Sequence, residues 1–244
     1  MKTWRRGLTD EDWLRLLGRT DPLIVEVGCN DGTDTRKFLD TFPECRIICF
    51  ECDRRAIAMF KRNINDPRVQ LVEAAAADRN GFTPWFASHG EVPKTAICHV
   101  APESLLDWEK SGSIRRPTGH TIEPGWCTFA EEGSVQTVTL DSCLQPERFP
   151  RSAGVDLLWL DVQGAEADVI KGAWKTLART RYLYTEFYDR EFRQQNADLP
   201  ELYEGAPGLA EIIGLVWQAS QWDLRGFFDG GNVLLERRQE ALRE

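Results

Sequence analysis

The sequence predicts an α/β fold built on a largely parallel β-sheet. Short apolar runs that are typical of buried strands alternate with helical patterns of about ten to fifteen residues. The chain has 244 residues, and it contains no internal repeat, low-complexity tract or linker. Its length and uniform composition therefore predict a single domain.

The first third of the chain carries the patterns of one helix followed by three strands. Thr9 and Asp12 form a helix-start pattern, and Gly18 ends that helix. Short apolar runs then predict strands over residues 23–27, 46–51 and 69–73, with helical spacing after the first two. We expect residues 1–20 to form an N-terminal helix ahead of a domain that spans residues 21–244.

The remainder of the chain continues the alternation after an irregular segment. Residues 83–134 hold several prolines and glycines, and we interpret them as an elaborated insertion. A helix is predicted over residues 165–177. Further strands are predicted over residues 135–140, 155–160, 181–187, 215–219 and 232–235. Ligands of such sheets bind beyond the carboxyl ends of the strands, so the functional site is expected there.

Composition excludes several classes of protein. Hydrophobic residues make up 42% and charged residues 28%, which are globular proportions. No apolar stretch approaches the roughly 18–20 residues of a membrane-spanning helix. The net charge of -9 argues against nucleic acid as a partner. Seven cysteines without a secretory signal predict reduced thiols and a cytoplasmic location.

The first strand leads into the turn EVGCNDG, residues 26–32. Gly28 and Gly32 let the backbone turn sharply and approach a ligand closely. The turn lacks the Gly-x-Gly-x-x-Gly spacing that holds a dinucleotide pyrophosphate, and Glu26 suits a cation better than a phosphate. Glu51 ends the second strand, where a carboxylate can accept hydrogen bonds from ribose hydroxyls. S-adenosylmethionine, which has a sulfonium and no phosphate, fits this pattern better than NAD. In the alternative interpretation, Gly28 and Gly32 only form a tight loop and Glu51 only caps a helix.

A second group of polar residues follows the strand at 155–160. Asp161 comes directly after the strand, and Gly164 and Glu166 open the next helix. An ionised carboxylate in such a place is costly unless it is paired or functional. Asp161 is therefore either a catalytic residue or a helix cap, and Glu166 is either a second acid–base candidate or a favourable first-turn charge.

Four segments resemble those of FkbM-family S-adenosylmethionine-dependent methyltransferases. They are VEVGCNDG, CFECD, VQTVTLDSCL and LLWLDVQGAEADVIKGA, in the family's order. The resemblance implies a Rossmann-like class I methyltransferase fold, with a mostly parallel seven-stranded sheet, helices on both faces and an antiparallel final strand. It also implies methyl transfer to a hydroxyl of a small molecule, such as a sugar or a polyketide-like natural product, with the insertion on the acceptor side.

The turn, the second polar group and the resemblance together predict the site residues. Cofactor contacts are predicted for Glu26, Gly28, Asn30, Asp31, Gly32, Glu51, Ala75 and Asp161. Catalytic candidates are Asp161, Glu166 and His120, with Glu186, His89 and His99 behind them. Trp85, Trp126 or Trp159 either flanks the sulfonium through cation–π attraction or packs in the core.

Two positions depart from the family's pattern. The family usually has lysine where this chain has Trp159, and glutamate where it has Gln163. Any role of those groups towards the acceptor therefore does not transfer to this chain.

Metal chemistry has a weaker basis in the sequence. Cys45, Cys49 and Cys52 have the spacing of the radical S-adenosylmethionine cluster motif, but strand periodicity turns Cys52 to the opposite side. A zinc site could be formed by Cys98, His99, His120 and Cys127, but these residues lack the spacing of tetrahedral zinc ligands. Magnesium between Asp141 and Asp161 would use hard carboxylate ligands. We predict no metal. The alternative functions are a non-catalytic S-adenosylmethionine-binding domain and an NAD-type oxidoreductase.

Overall fold

The computed structural model describes residues 7–93, 107–122, 124–145, 154–189, 200–228 and 231–238. The strands are β1 (Leu23–Val27), β2 (Arg46–Phe50), β3 (Val69–Val72), β4 (Ala75–Ala76), β5 (Gly81–His89), β6 (Thr128–Val138), β7 (Val155–Leu160), β8 (Thr180–Glu186), β9 (Trp222–Phe228) and β10 (Asn232–Arg237). The helices are α1 (Asp10–Leu17), α2 (Thr33–Thr41), α3 (Arg54–Asn63), α4 (Leu140–Cys143), α5 (Glu166–Lys171), α6 (Trp174–Leu177) and α7 (Leu209–Ala219), with a 3-10 turn at Gly119–Thr121.

Seven strands form the main sheet, in the order β3-β2-β1-β7-β8-β10-β9. The first five of these strands pair in parallel, and β10 pairs antiparallel with both β8 and β9. The predicted class I methyltransferase fold and its antiparallel final strand are thereby confirmed. Within the described ranges, no helix has the length and apolar character needed to cross a bilayer.

Each face of this sheet is covered by its own set of helices. Along β1, the side chain of Ile24 enters one buried cluster and that of Val25 enters the other, as the two-residue period of a strand requires. The cluster on the Ile24 side includes apolar residues of α1, α2 and α3. The cluster on the Val25 side includes apolar residues of α5, α6 and α7. The two clusters fix the sheet between two helical layers.

Helix α1 packs on the sheet, as its sequence pattern predicts. The Thr9 hydroxyl accepts a hydrogen bond from the backbone N–H of Asp12, whose carboxylate accepts one from the N–H of Thr9. This reciprocal pair satisfies N–H groups that have no partner inside the helix. Gly18 ends the helix with φ +66°. Trp13 and Leu17 are buried in the cluster of α2 and α3, so α1 completes one side of the core.

A second, three-stranded sheet has the order β4-β6-β5. Strands β5 and β6 pair antiparallel from the Gly81–Thr137 pair to the His89–Thr128 pair, and β4 pairs in parallel with the end of β6. The strand expected at residues 135–140 is confirmed over residues 135–138, which are the end of β6, whereas Leu140 begins α4. The proline-rich insertion therefore contains a long β-hairpin, and no local sequence pattern indicates the pairing of its two strands.

The helix expected at residues 165–177 is two short helices, α5 and α6. Gly172 lies between them, and a Cβ added there would overlap the backbone carbonyl oxygen of Ala77. The chain bends at this close contact with the segment after β4. The prediction that Val169, Ile170 and Leu177 lie on one apolar face agrees with the structure, because all three are buried in the same cluster.

The strand expected at residues 215–219 is wrong, because this segment is the last part of α7. The short apolar run LVWQA fits either a strand or a buried helix. The helical period appears over the full eleven residues, where Ile212 and Val216 lie one turn apart and are both fully buried. The strand of this region is β9, which follows the helix and was not predicted.

Candidate functional site

The candidate site is a cavity of about 290 Å³ beyond the carboxyl ends of β1, β2 and β7. This is the edge of an α/β sheet at which ligands bind, and the volume is close to the lower end of the roughly 300–1,000 Å³ of ligand pockets. Six of the predicted site residues line it: Gly28, Asn30, Asp31, Glu51, Ala75 and Asp161. Four others lie outside its wall: Glu26, Gly32, Glu166 and His120.

Gly28 brings the end of β1 against the end of β7. Its φ is +83°, and a Cβ added there would overlap the backbone carbonyl oxygen of Asp161. In return, the N–H of Asp161 donates to the carbonyl of Val27 at 2.9 Å. Glycine is required here both by the backbone conformation and by the space.

The rest of the turn is shaped by two further residues in the left-handed region. Asn30 has φ +46° and Gly32 has φ +84°. A Cβ on Gly32 would lie 2.5 Å from Cγ1 of Ile64, at the end of α3. Gly32 therefore supports the turn from outside the cavity, where α2 begins.

Glu51 ties three backbone segments together at the cavity wall. Its Oε2 accepts a hydrogen bond from the N–H of Asn30 at 2.9 Å, and its Oε1 accepts from the N–H groups of Cys52 and Asp53 at 2.7 and 2.8 Å. Burial raises the pKa of Glu51, although these three N–H groups oppose the shift. The carboxylate therefore fixes the turn to the end of β2 in addition to facing the cavity.

Glu26 points away from the cavity, into the core between β1 and α2. The Thr35 hydroxyl donates to its Oε2 at 2.6 Å, and Cys49 lies beside the same oxygen. Complete burial and the neighbouring Cys49 raise the pKa of Glu26 well above its ordinary value. Its carboxyl group holds α2 on the sheet, and its predicted contact with the cofactor stays a prediction.

The insertion supplies the opposite wall of the cavity. Trp85 of β5 contributes to it, and so do Glu109, Lys110, Gly112 and Ile114. Sequence reasoning named Trp85 only as one of three candidate tryptophans and missed the other four. No local pattern distinguishes them, because their approach depends on the pairing of β5 with β6.

Lys110 connects this wall to the glycine-containing turn. Its Nζ donates to Asn30 Oδ1 at 2.7 Å and to Asp31 Oδ2 at 3.1 Å. Thr33 donates to the other oxygen of Asp31 through both its N–H and its hydroxyl. Burial alone would raise the pKa of Asp31, but the bonds from Thr33 and the charge of Lys110 outweigh it and lower that pKa.

The wall beside β3 and β4 is apolar. Residues 74–76 are alanines, and all three line the cavity, as does Trp85. The other two candidate tryptophans lie elsewhere. Trp126 packs edge-on against Trp108, and Trp159 stacks on Tyr184 with ring centroids 4.4 Å apart. The position where the family usually has lysine therefore belongs to the aromatic core around α1 and α2.

Asp161 is held in the cavity by a chain of polar contacts. Gln163, which has φ +52°, donates from Nε2 to Asp161 Oδ1 at 2.6 Å. The Tyr203 hydroxyl lies 3.2 Å from Gln163 Oε1 and 2.8 Å from the Ser111 carbonyl. The Ser113 hydroxyl donates to the Gln163 carbonyl at 2.7 Å. Gln163 thus links the end of β7 to the insertion.

Glu166 lies behind the turn that follows β7 and is completely buried. Its Oε1 accepts long hydrogen bonds from the N–H groups of Val162 and Gly164, and its Oε2 has no hydrogen-bond partner in the described ranges. Burial is the main cause, and the nearby charge of Glu186 the second, that raises the pKa of Glu166 to about 8. It therefore holds a proton at neutral pH.

The histidine candidates lie outside the cavity wall or outside the described residues. The half-buried His120 packs against the rings of Tyr203 and Phe129. His89 Nε2 lies 2.8 Å from Glu132 Oε1. His99 and the zinc candidate Cys98 fall outside the described residues.

The cysteines of the cluster motif do not converge. Cys45 and Cys49 are buried in the core between β2 and its helices, whereas Cys52 lines the cavity, so the prediction from strand periodicity is confirmed. Asp141 accepts hydrogen bonds from Lys175 and Thr176 at the start of α6 and does not line the cavity. Among the described residues, no group of three or more His, Cys, Asp or Glu side chains is arranged to hold a metal ion.

The lining of the cavity fits S-adenosylmethionine by its chemistry. The wall combines the backbone of the turn at Gly28, the carboxylate of Glu51, and the apolar side chains of the alanines and Trp85. Acidic side chains outnumber basic ones, which suits a sulfonium cation. Among the described residues, no arginine lines the cavity.

Comparison with known proteins agrees with this chemistry. Residues 26–212 match the methyltransferase FkbM domain. The chain is 39% identical over 202 residues to the 2-O-methyltransferase NoeI of Sinorhizobium fredii. The matched region covers 82% of this chain and 73% of that protein.

A solved structure supports the fold. The methyltransferase FkbM from Methylobacillus flagellatus superposes with a TM-score of 0.51 at 11% identity, over 90% of this chain. This chain spans 44% of that larger protein. The domain match covers most of the chain, so this protein belongs to the FkbM family of methyltransferases and uses S-adenosylmethionine as its methyl donor.

Proposed function

We propose that this protein methylates a hydroxyl group of a small, polyhydroxylated acceptor, such as a sugar or a natural product, and that Asp161 takes the hydroxyl proton. S-adenosylmethionine supplies a methyl group that is already activated by the sulfonium. The protein's tasks are to bind the cofactor, to align the acceptor oxygen and to accept one proton. Gly28, Asn30, Glu51 and Ala75 would hold the cofactor.

The observation that carries the proposal is the position of Asp161. It follows directly after β7, its carbonyl lies against Gly28, and its side chain lines the same cavity as the turn. Gln163 donates to one of its carboxylate oxygens, which fixes the orientation of the group. A carboxylate in that place is suited to accept a proton from a hydroxyl bound beside the cofactor.

Glu166 and His120 are weaker candidates for this step. Glu166 has a pKa of about 8 because it is buried, so near pH 7 it already carries a proton and cannot accept another. His120 packs behind Tyr203 and does not line the cavity. Neither residue is part of the cavity wall.

The nature of the acceptor is supported by chemistry and by the relative. The cavity wall carries carboxylate and amide groups, which bind hydroxyls through hydrogen bonds. The relative NoeI is named a 2-O-methyltransferase, which supports oxygen as the methylated atom. The net charge of -9 supports a small molecule over a nucleic acid.

A cytoplasmic location forms part of the proposal. Six cysteines in the described part of the chain are free thiols, which suits a reducing compartment. Fractionation of the native cells with antibodies to this protein would locate it directly.

A methyl-transfer assay tests the proposed function. Purified protein is incubated with methyl-labelled S-adenosylmethionine and panels of sugars, hydroxylated natural products, amines and RNA. Transfer to a hydroxylated small molecule, with the methyl ether located by mass spectrometry, supports the proposal. Transfer to amines or RNA alone contradicts it.

The same assay tests the role of Asp161. Asp161→Asn should lower kcat by about 10²- to 10⁴-fold, the usual contribution of a positioned base, while calorimetry shows nearly unchanged cofactor affinity. His120→Gln, which changes a residue outside the cavity, is the control and should keep most of the activity. Equal activity of Asp161→Asn and the unmodified protein would remove Asp161 as the base.

A further inference from the structure

Lys110 is a half-buried cation in the wall of the cofactor cavity. Of the residues that the structure describes, two lysines line the cavity, and no arginine or histidine does. The Lys37 side chain is 62% exposed and pairs with Asp34 on its own helix, whereas the Lys110 side chain is 20% exposed. The same wall carries six acidic side chains: Asp31, Asp34, Glu51, Asp53, Glu109 and Asp161.

Such a wall suits the positive groups of S-adenosylmethionine but not its single carboxylate. A carboxylate that leaves water is costly unless a cation or hydrogen-bond donors receive it. Among acidic neighbours this requirement becomes stricter, because like charges repel. The amino-acid end of the cofactor therefore needs a donor on this wall.

The backbone of the glycine-containing turn is a poor source of such donors. Five of the six residues from Gly28 to Thr33 already use their N–H groups inside the protein. Gly28 and Cys29 donate to the Phe50 carbonyl. The remaining donors are Asn30 to Glu51, Gly32 to the Cys29 carbonyl, and Thr33 to Asp31.

The ammonium group of Lys110 has the donor capacity that the turn lacks. A lysine carries three N–H donors, and two of them are directed at Asn30 Oδ1 and Asp31 Oδ2. Glu109 lies 3.8 Å away, at ion-pair distance but beyond a hydrogen bond. One donor of Lys110 therefore has no acceptor at hydrogen-bond distance within the described part of the chain.

We propose that Lys110 binds the carboxylate of the cofactor's amino-acid end and makes the site selective for ligands that carry this group. Because Lys110 belongs to the insertion and contacts the turn, cofactor binding and the position of the insertion become coupled. The inference rests on the cofactor, which the family fixes, and is independent of the acceptor and of the role of Asp161.

The test compares two ligands that differ only in the carboxylate. Calorimetry measures the affinity of the full-length protein for S-adenosylmethionine and for decarboxylated S-adenosylmethionine, which keeps the sulfonium and the amino group. The unmodified protein should prefer the first. Lys110→Met should weaken binding of S-adenosylmethionine by about 10- to 100-fold, as expected for a lost charge-assisted hydrogen bond. Its affinity for the decarboxylated ligand should stay within about twofold.

Lys37→Met is the matched control, because it makes the same change at the other lysine of the wall and should keep the preference. Lys110→Arg retains the positive charge and should keep part of the preference, which covers the case in which Lys110→Met folds poorly. If folded Lys110→Met lost affinity equally for both ligands, Lys110 would only support the turn. Unchanged binding of S-adenosylmethionine would also overturn the inference. Because binding is measured without acceptor, failure of hydroxyl methylation is a separate result.

Discussion

The backbone carbonyl oxygen of Asp161 occupies the space in which a side chain at residue 28 would begin. Gly28 therefore joins the turn after β1 to the end of β7, and any side chain at this position must push the two apart. The same contact sets the distance between the turn and the carboxylate of Asp161. Shape at this point is fixed by backbone atoms, which adjust less readily than side chains.

Gly28→Ala should destabilise the protein and weaken cofactor binding. Gly18→Ala is the control, since Gly18 also has a positive φ but no atom lies within 4 Å of its added Cβ. The control should cost about 1–2 kcal/mol from backbone strain alone, and Gly28→Ala should cost clearly more because it adds the overlap. Urea unfolding and calorimetry with S-adenosylmethionine measure both effects. Equal losses in the two variants would contradict the close contact.

Glu51→Gln should affect both the turn and the cofactor. Glu51 accepts three backbone N–H groups, and an amide nitrogen in place of one oxygen would face at least one of them. We expect a loss of about 1–3 kcal/mol, the cost of an unsatisfied buried donor, and at least about tenfold weaker binding of S-adenosylmethionine. Glu73→Gln, at an exposed glutamate paired with Lys61, controls for the substitution. Unchanged binding in a stable Glu51→Gln variant would contradict the ribose contact.

The parts of the site that the sequence predicts are those that follow strand ends. Gly28, Glu51 and Asp161 each come at or just after a short apolar run, and parallel strands bring their carboxyl ends to one edge. Local patterns therefore place these residues near the same cavity. Glu26 shows the limit of this reasoning, because its side chain lies on the face of β1 that α2 covers and enters the core beside Thr35.

The parts that the sequence does not predict depend on distant contacts. Lys110 meets Asn30 across 80 positions of the chain, and no periodic pattern marks the loop that carries it. The prediction of a strand at residues 215–219 is wrong for a related reason, because a short apolar run fits either a strand or a helix. The burial of Ile212 and Val216 in the same cluster favours the helix.

Gln163→Glu should move the pH dependence of methyl transfer to higher pH. Gln163 Nε2 lies 2.6 Å from Asp161 Oδ1, so a glutamate there would place two carboxyl groups in contact. Two like charges at that distance disfavour ionisation, and the pair would lose its second proton only at higher pH. Gln163→Met removes the donor without adding charge, so it should slow the reaction with a smaller alkaline shift. Identical pH profiles for the two variants would contradict a direct coupling between residue 163 and Asp161.

Glu166→Gln should make the protein more stable at pH 8 while leaving stability near pH 4.5 almost unchanged. In the folded protein, burial keeps the proton on Glu166 up to about pH 8, whereas the unfolded chain releases it near the ordinary value of 4.5. Between these values the unfolded state binds fewer protons, so the free energy of unfolding falls as pH rises, by roughly 1.4 kcal/mol per pH unit at most. Glutamine keeps the shape and has no proton to lose, so the variant should lack this contribution to the slope. Urea unfolding from pH 5 to pH 8 measures it, with Glu211→Gln, at a more exposed glutamate of α7, as the control. Parallel curves for Glu166→Gln and the unmodified protein would show that Glu166 is ionised in the folded state and would contradict the raised pKa.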